Sequence, residues 1–135
     1  MARVNTTEYI TIASTGDASD FGDLTTQTQG CAGASSSTRA LIGGGATNVE
    51  SVTIEYFTIS STGNGTDFGD LTAGRQAIAA CSTSLKGIFA GGTGSRSNII
   101  DFVTIATTGD ATDFGDLTIA SAYGSGCCGS HGGIA

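Results

Sequence analysis

The string DFGDLT occurs three times, at residues 20–25, 67–72 and 113–118, with offsets of 47 and 46 residues. Its flanks align as well: TIASTGDASDFGDLT, TISSTGNGTDFGDLT and TIATTGDATDFGDLT are near copies. Upstream, Glu8-Tyr9-Ile10 matches Glu55-Tyr56-Phe57 and Asp101-Phe102-Val103. Downstream, ASSSTRALIGGG at residues 34–45 matches CSTSLKGIFAGG at 81–92, and the third copy has drifted to CCGSHGGIA. A fixed period of this length constrains the fold more than any other feature. It calls for repeated supersecondary units, each of which buries its apolar face only by stacking on the next. The units run over about residues 4–48, 49–97 and 98–135, within a single repeat domain spanning 1–135.

Each unit reads as four short strands. In the middle unit they fall at residues 55–59, 68–72, 77–83 and 87–91, separated by turn signals such as Thr62-Gly63-Asn64-Gly65. A glycine- and serine-rich loop at 92–98 leads into the next unit. The composition agrees, with 22 glycines, no proline, and Ser, Thr and Ala in place of long helix formers. Along the first strand, Ile10 and Ile12 alternate with Tyr9 and Thr11. Their counterparts are Phe57 and Ile59, then Val103 and Ile105, while the opposite face keeps an aromatic in every copy: Tyr9, Tyr56 and Phe102. Both faces are therefore expected to be covered, as in a sheet stacked between two others. Phe21, Phe68 and Phe114, with Leu24, Leu71 and Leu117, are expected to anchor the outer part of each sheet. The Ala-, Gly- and Ser-rich third and fourth strands suit the place where sheets crowd together.

Charge narrows the partners. The formal net charge is −7, and the five basic residues Arg3, Arg39, Arg75, Lys86 and Arg96 are scattered along the chain. Nucleic acid and anionic membrane are poor matches for such a surface. There is no apolar run long enough to span a bilayer, and residues 1–10 hold no apolar stretch of a secretory signal. The four cysteines, Cys31, Cys81, Cys127 and Cys128, lack metal-finger spacing and read as small hydrophobes in a reducing compartment.

The order of features resembles the kelch repeat. Gly91-Gly92 and residues 43–45 stand at its diglycine position, Tyr56 and Phe102 near its tyrosine, and Phe68 and Phe114 where it carries tryptophan; this chain has no Trp. The pattern TGxxTDFGDLT, followed by Ala-Cys-Ser and an aromatic-Gly-Gly strand, is also similar to a repeat of virion structural proteins of tailed phages, notably those of marine bacteria and cyanobacteria. That resemblance covers nearly the whole chain. It implies an all-β protein of three four-stranded, kelch-like repeats of about 46 residues and β-propeller type. It further implies a particle component of tail, fibre or head surface, and it supplies no catalytic residues.

Propellers close with four to eight blades. Three units, with half a blade at either end, predict closure by oligomerisation, two chains giving six blades. The alternative is a single-chain β-trefoil or β-prism, for which three units of this length also suffice.

Candidate chemistry is sparse. Asp17, Asp20 and Asp23 are spaced three apart, and Asn64, Asp67 and Asp70 repeat them, as do Asp110, Asp113 and Asp116. Oxygen-rich loops suit Ca²⁺, although the spacing is not that of an EF-hand; turn chemistry, with Asp and Asn capping backbone N–H groups, explains the same residues. His131 is the single histidine, beside the vicinal cysteines in a glycine-rich segment. It lacks the orienting third group of a nucleophilic site, and no hydrolase, zincin or nucleotide-binding fingerprint is present. The loops at 92–98 and 46–49 differ between copies, which makes Arg96 and Asn98 the candidate binding-loop residues. The expectation is a non-enzymatic structural virion protein without a cofactor, made in the host cytoplasm. Its partners would be itself (a dimer), other virion proteins and a host surface glycan. The alternative is a lectin-like receptor or glycan-binding module.

Overall fold

A computed structural model describes residues 3–93 and 97–127. The chain is all-β, with ten strands in three antiparallel sheets and no helix among the described residues. Strands β1 (Val4–Tyr9) and β2 (Ser19–Thr28) pair only with each other. Strands β3 (Ala32–Ser35), β4 (Arg39–Gly43), β5 (Thr53–Thr58) and β6 (Thr66–Asp70) form a four-stranded meander. Strands β7 (Ala79–Ser82), β8 (Lys86–Ala90), β9 (Ile99–Thr104) and β10 (Thr112–Asp116) repeat it. The four strands expected in the middle unit are thus β5 to β8. They do not share a sheet: β4 pairs with β5 and β8 with β9, so each meander joins the second half of one unit to the first half of the next. The described residues form no closed barrel and no closed ring of sheets.

The DFG tripeptide has a local structural reason. In β2, β6 and β10 the pairing register shifts at the phenylalanine, so that Phe21, Phe68 and Phe114 are the extra residues of β-bulges. The following glycine lies at φ +150°, +144° and +137° in the three copies, backbone that favours Gly. Each bulged ring meets the aromatic of the preceding strand edge to face: Tyr9–Phe21 at 5.9 Å, Tyr56–Phe68 at 6.1 Å and Phe102–Phe114 at 6.0 Å.

The main core lies between the two meanders. Leu41, Ile54, Phe68, Leu71, Phe89 and Val103 are buried there. Small residues let the sheets approach. The Phe89 ring lies so close to Gly43 that an added Cβ would meet it at 2.8 Å, and a Cβ on Gly87 would stand 3.2 Å from that of Ala34. As expected of the Ala- and Gly-rich strands, β3 packs on both β7 and β8. Burial along the repeats is nonetheless unequal. Phe57, Val103 and Ile105 are buried, but Ile10 and Ile12 are exposed. Phe68 is 2% exposed and Phe114 60%. The expectation that both faces of every first strand are covered holds for β9, holds along β5 but not at Ile59 just beyond it, which is 42% exposed, and fails for β1, on whose outer side no sheet stacks among the described residues.

Candidate interaction surface

The repeats hold one another through a clasp that recurs with matched atoms. The N–H of Gly63 donates to the Phe21 carbonyl at 2.8 Å, and one repeat later that of Gly109 donates to Phe68 at 2.7 Å. Gly65 bonds the Asp23 carbonyl at 2.8 Å, and Ala111 bonds that of Asp70 at 2.7 Å. The Asn64 Oδ1 accepts from the Asp23 N–H at 3.1 Å, and the Asp110 Oδ1 from the Asp70 N–H at 3.0 Å. The first and second DFGD strands are therefore each gripped by the Thr-Gly-Asn/Asp turn of the following unit. The grip demands glycine, since a Cβ on Gly22 or Gly69 would fall 2.1 and 2.5 Å from the carbonyl oxygens of Gly63 and Gly109. Around Gly115, the third copy, nothing lies within 4 Å. Both Gly69→Ala and Gly115→Ala impose the same backbone strain, and only the first adds a clash. Gly69→Ala is expected to be the more destabilising by about 1–3 kcal/mol, read as the difference in urea unfolding midpoints at unchanged m.

A carboxylate completes the clasp. Glu55 accepts from both the N–H and the hydroxyl of Thr25, at 3.0 and 2.5 Å. Asp101 accepts from the same two groups of Thr72, at 3.2 and 2.7 Å. Both acids are buried on a first strand, where the threonine closing each DFGDLT string reaches them from the preceding repeat. Between the two meanders the pattern gains a cation. The Arg75 Nη2 lies 2.5 Å from the Asp101 Oδ2, and its Nη1 donates to the carbonyls of Gly91 and Ile99 at 2.8 and 2.9 Å. Arg75 is 2% exposed and Asp101 0%. Burial of this pair is sustained by hydrogen bonds on both partners, although the Arg75 Nε finds no acceptor. On the other flank Arg39 lies over the Tyr56 ring at 4.5 Å and donates to the carbonyls of Ile105 and Ala106, both at 3.1 Å.

The acidic triplets expected in the turns are spread along this clasp. Asn64 and Asp110 cap the neighbouring strand, and the Asp113 Oδ1 accepts from the Gly115 N–H two residues on, at 3.0 Å. Asp17, Asp20, Asp67 and Asp116 are exposed, as is Asp70, and Asp23 is half-buried; the backbones of Asp23 and Asp70 enter the clasp. No three metal-type side chains come together among the described residues. Asn98 is exposed on the loop before β9, where its carbonyl accepts from the Leu117 N–H at 2.7 Å. In the matching loop before β5, Asn48 accepts from Arg3 at 3.1 Å. Arg96, Cys128 and His131 lie outside the described residues. Cys31 is at the surface, yet partial desolvation raises its thiol pKa, so it stays protonated at neutral pH. A cavity of about 370 Å³ opens on the last meander, lined mainly by apolar groups including Ala80, Ile88, Ala90, Leu117 and Ile119.

Sequence reasoning missed the role of Arg75, which reads only as part of a link, and that of the acids Glu55 and Asp101. The available signal was an acidic residue beside an aromatic at the same position of the first strand in all three copies: Glu8, Glu55 and Asp101. Comparison with protein-family models gives no match, and comparison with curated proteins gives none.

Proposed function

We propose that this protein is a non-enzymatic structural component of a tailed-phage virion, at the tail, fibre or head surface. It works through self-assembly and docking to other virion proteins. Its meanders act as blades of propeller type, and the propeller closes by oligomerisation of two chains. The observation that carries this reading is the clasp: two successive repeat junctions reuse the same backbone bonds and the same threonine-to-carboxylate pair. Investment in repeat-to-repeat cohesion suits a protein whose task is shape and stability. The resemblance of the TGxxTDFGDLT pattern to virion repeats supplies the setting.

The test is to purify, through a density gradient, particles of a tailed phage whose genome encodes the chain, and to probe them by quantitative mass spectrometry and immunogold labelling. The expected result is a fixed copy number per particle that survives a high-salt wash, with label on one part of the virion. Recovery of the chain solely from the soluble lysate would overturn the assignment.

A further inference from the structure

Every half of the clasp that is unoccupied among the described residues lies at one of two surfaces, and the two are complementary. One is the outer face of the last meander. Here Phe114, Asp116 and Thr118 occupy the positions that Phe68, Asp70 and Thr72 hold at the filled junction, and all three are exposed. Lys86 lies over the Phe102 ring at 4.4 Å, as Arg39 lies over Tyr56, but meets no carbonyl among the described residues. The other surface is the first strand and turn. Glu8 stands where Glu55 and Asp101 stand, Asp17 where Asn64 and Asp110 stand, and Ile12 where Ile59 and Ile105 stand. Ile105 is 1% exposed at the junction between the meanders, Ile59 42% at the junction with the first hairpin, and Ile12 94%.

We propose that the first strand and turn of one copy dock onto the outer face of the last meander of a second copy, head to tail, reproducing the internal clasp. Glu8 takes the hydroxyl and N–H of Thr118. Asp17 caps the N–H of Asp116, and the N–H groups of Gly16 and Ala18 bond the carbonyls of Phe114 and Asp116. Ile10 covers the Phe114 ring, as Val103 shares a buried cluster with Phe68. Lys86 meets the carbonyls of Ile12 and Ala13.

The backbone ladder along the repeats points to the same register. The Ala77 N–H donates to the Gly30 carbonyl at 2.7 Å, and the Tyr123 N–H donates to that of Ala77 at 2.9 Å. All three residues are left-handed, at φ +68°, +52° and +61°. One step further, the Gly30 N–H of the second copy meets the Tyr123 carbonyl. The occupant is another copy of this chain because its exposed turn carries the residues that fill the two internal junctions. An unrelated partner would have to reproduce a sequence that this chain already presents.

This inference gives the mode of the self-association in the proposed function, so the experiment separates the two. Light scattering over a concentration series is run on the full chain, on Ile12→Asp and Phe114→Asp, and on their equimolar mixture, with circular dichroism to show that each variant is folded. Ile12 is 94% exposed and Phe114 60%, so each single chain is expected to stay folded, Phe114→Asp giving up only the edge-to-face contact with Phe102. The wild type is expected at twice the single-chain mass and each variant at the single-chain mass. The mixture is expected to form a 1:1 pair through its one intact junction, dissociating at concentrations where the wild type holds. Self-association of either variant alone, or failure of the mixture to pair, would overturn the head-to-tail mode and leave self-assembly by another surface standing. A wild type at single-chain mass throughout would overturn both.

Discussion

Asp101→Ala is expected to lower the free energy of unfolding by about 3–5 kcal/mol, because it leaves the Arg75 guanidinium buried without its counter-ion. For a domain whose whole stability is on the order of 5–15 kcal/mol, a loss of that size moves the urea midpoint far enough to populate unfolded chain near physiological temperature. Three features place the effect at the upper end of what single substitutions do. Both partners are inaccessible to solvent, so water cannot replace the lost carboxylate. Asp101 also satisfies the N–H and hydroxyl of Thr72, so the same change orphans two donors at the edge of the junction. The guanidinium cannot swing away, since its Nη1 is fixed on two backbone carbonyls.

Glu55→Ala is the internal control. Its carboxylate serves the matching threonine, but no salt bridge joins it among the described residues. A loss of about 1–3 kcal/mol, the cost of leaving buried donors unpaired, is expected there. Equilibrium unfolding in urea with both variants checks the order. Equal losses would show that the cation adds nothing to the junction.

The repeat was legible in the sequence because it is written in identities: DFGDLT and its flanks announce units, strands and turns without any knowledge of contacts. The four strands of the middle unit followed from alternation and glycine punctuation, and β5 to β8 lie within a few residues of the expected ranges. Which strands share a sheet was not legible. A periodic sequence fixes the period of a structure but not its phase, and pairing of β4 with β5 across the unit boundary depends on hydrogen bonds that leave no residue signature. The acids of the turns were noticed as a pattern, but what Asn64 and Asp110 do rests on donors 40 or more residues away, the N–H groups of Asp23 and Asp70. Arg75 was illegible for a related reason. The first unit carries Thr28 at the matching position, so no repetition marks the arginine as structural. The unequal exposure of identical residues also lay beyond the sequence, since it is set by what stacks on each sheet.

That inequality yields the second large effect. Phe68→Ala is expected to cost about 3–5 kcal/mol, the range for an aromatic ring deleted from a packed core, whereas Phe114→Ala in the single chain should cost under about 1 kcal/mol. The two residues sit in the same TDFGDLT string and the same bulge, and each has an edge-to-face aromatic partner, Tyr56 for Phe68 and Phe102 for Phe114. Helix or strand propensity, bulge geometry and the aromatic pair are therefore matched, and the difference isolates the sheet that covers Phe68 and leaves Phe114 open. Unfolding must be followed at two protein concentrations. Below the association range, Phe114→Ala should track the wild type. Where wild-type chains associate, the same substitution should cost more, because binding to the folded state adds stability that rises with concentration. A Phe114→Ala penalty that is large and independent of concentration would mean that Phe114 is covered within its own chain. The outer face of the last meander would then not be the surface on which a second copy docks.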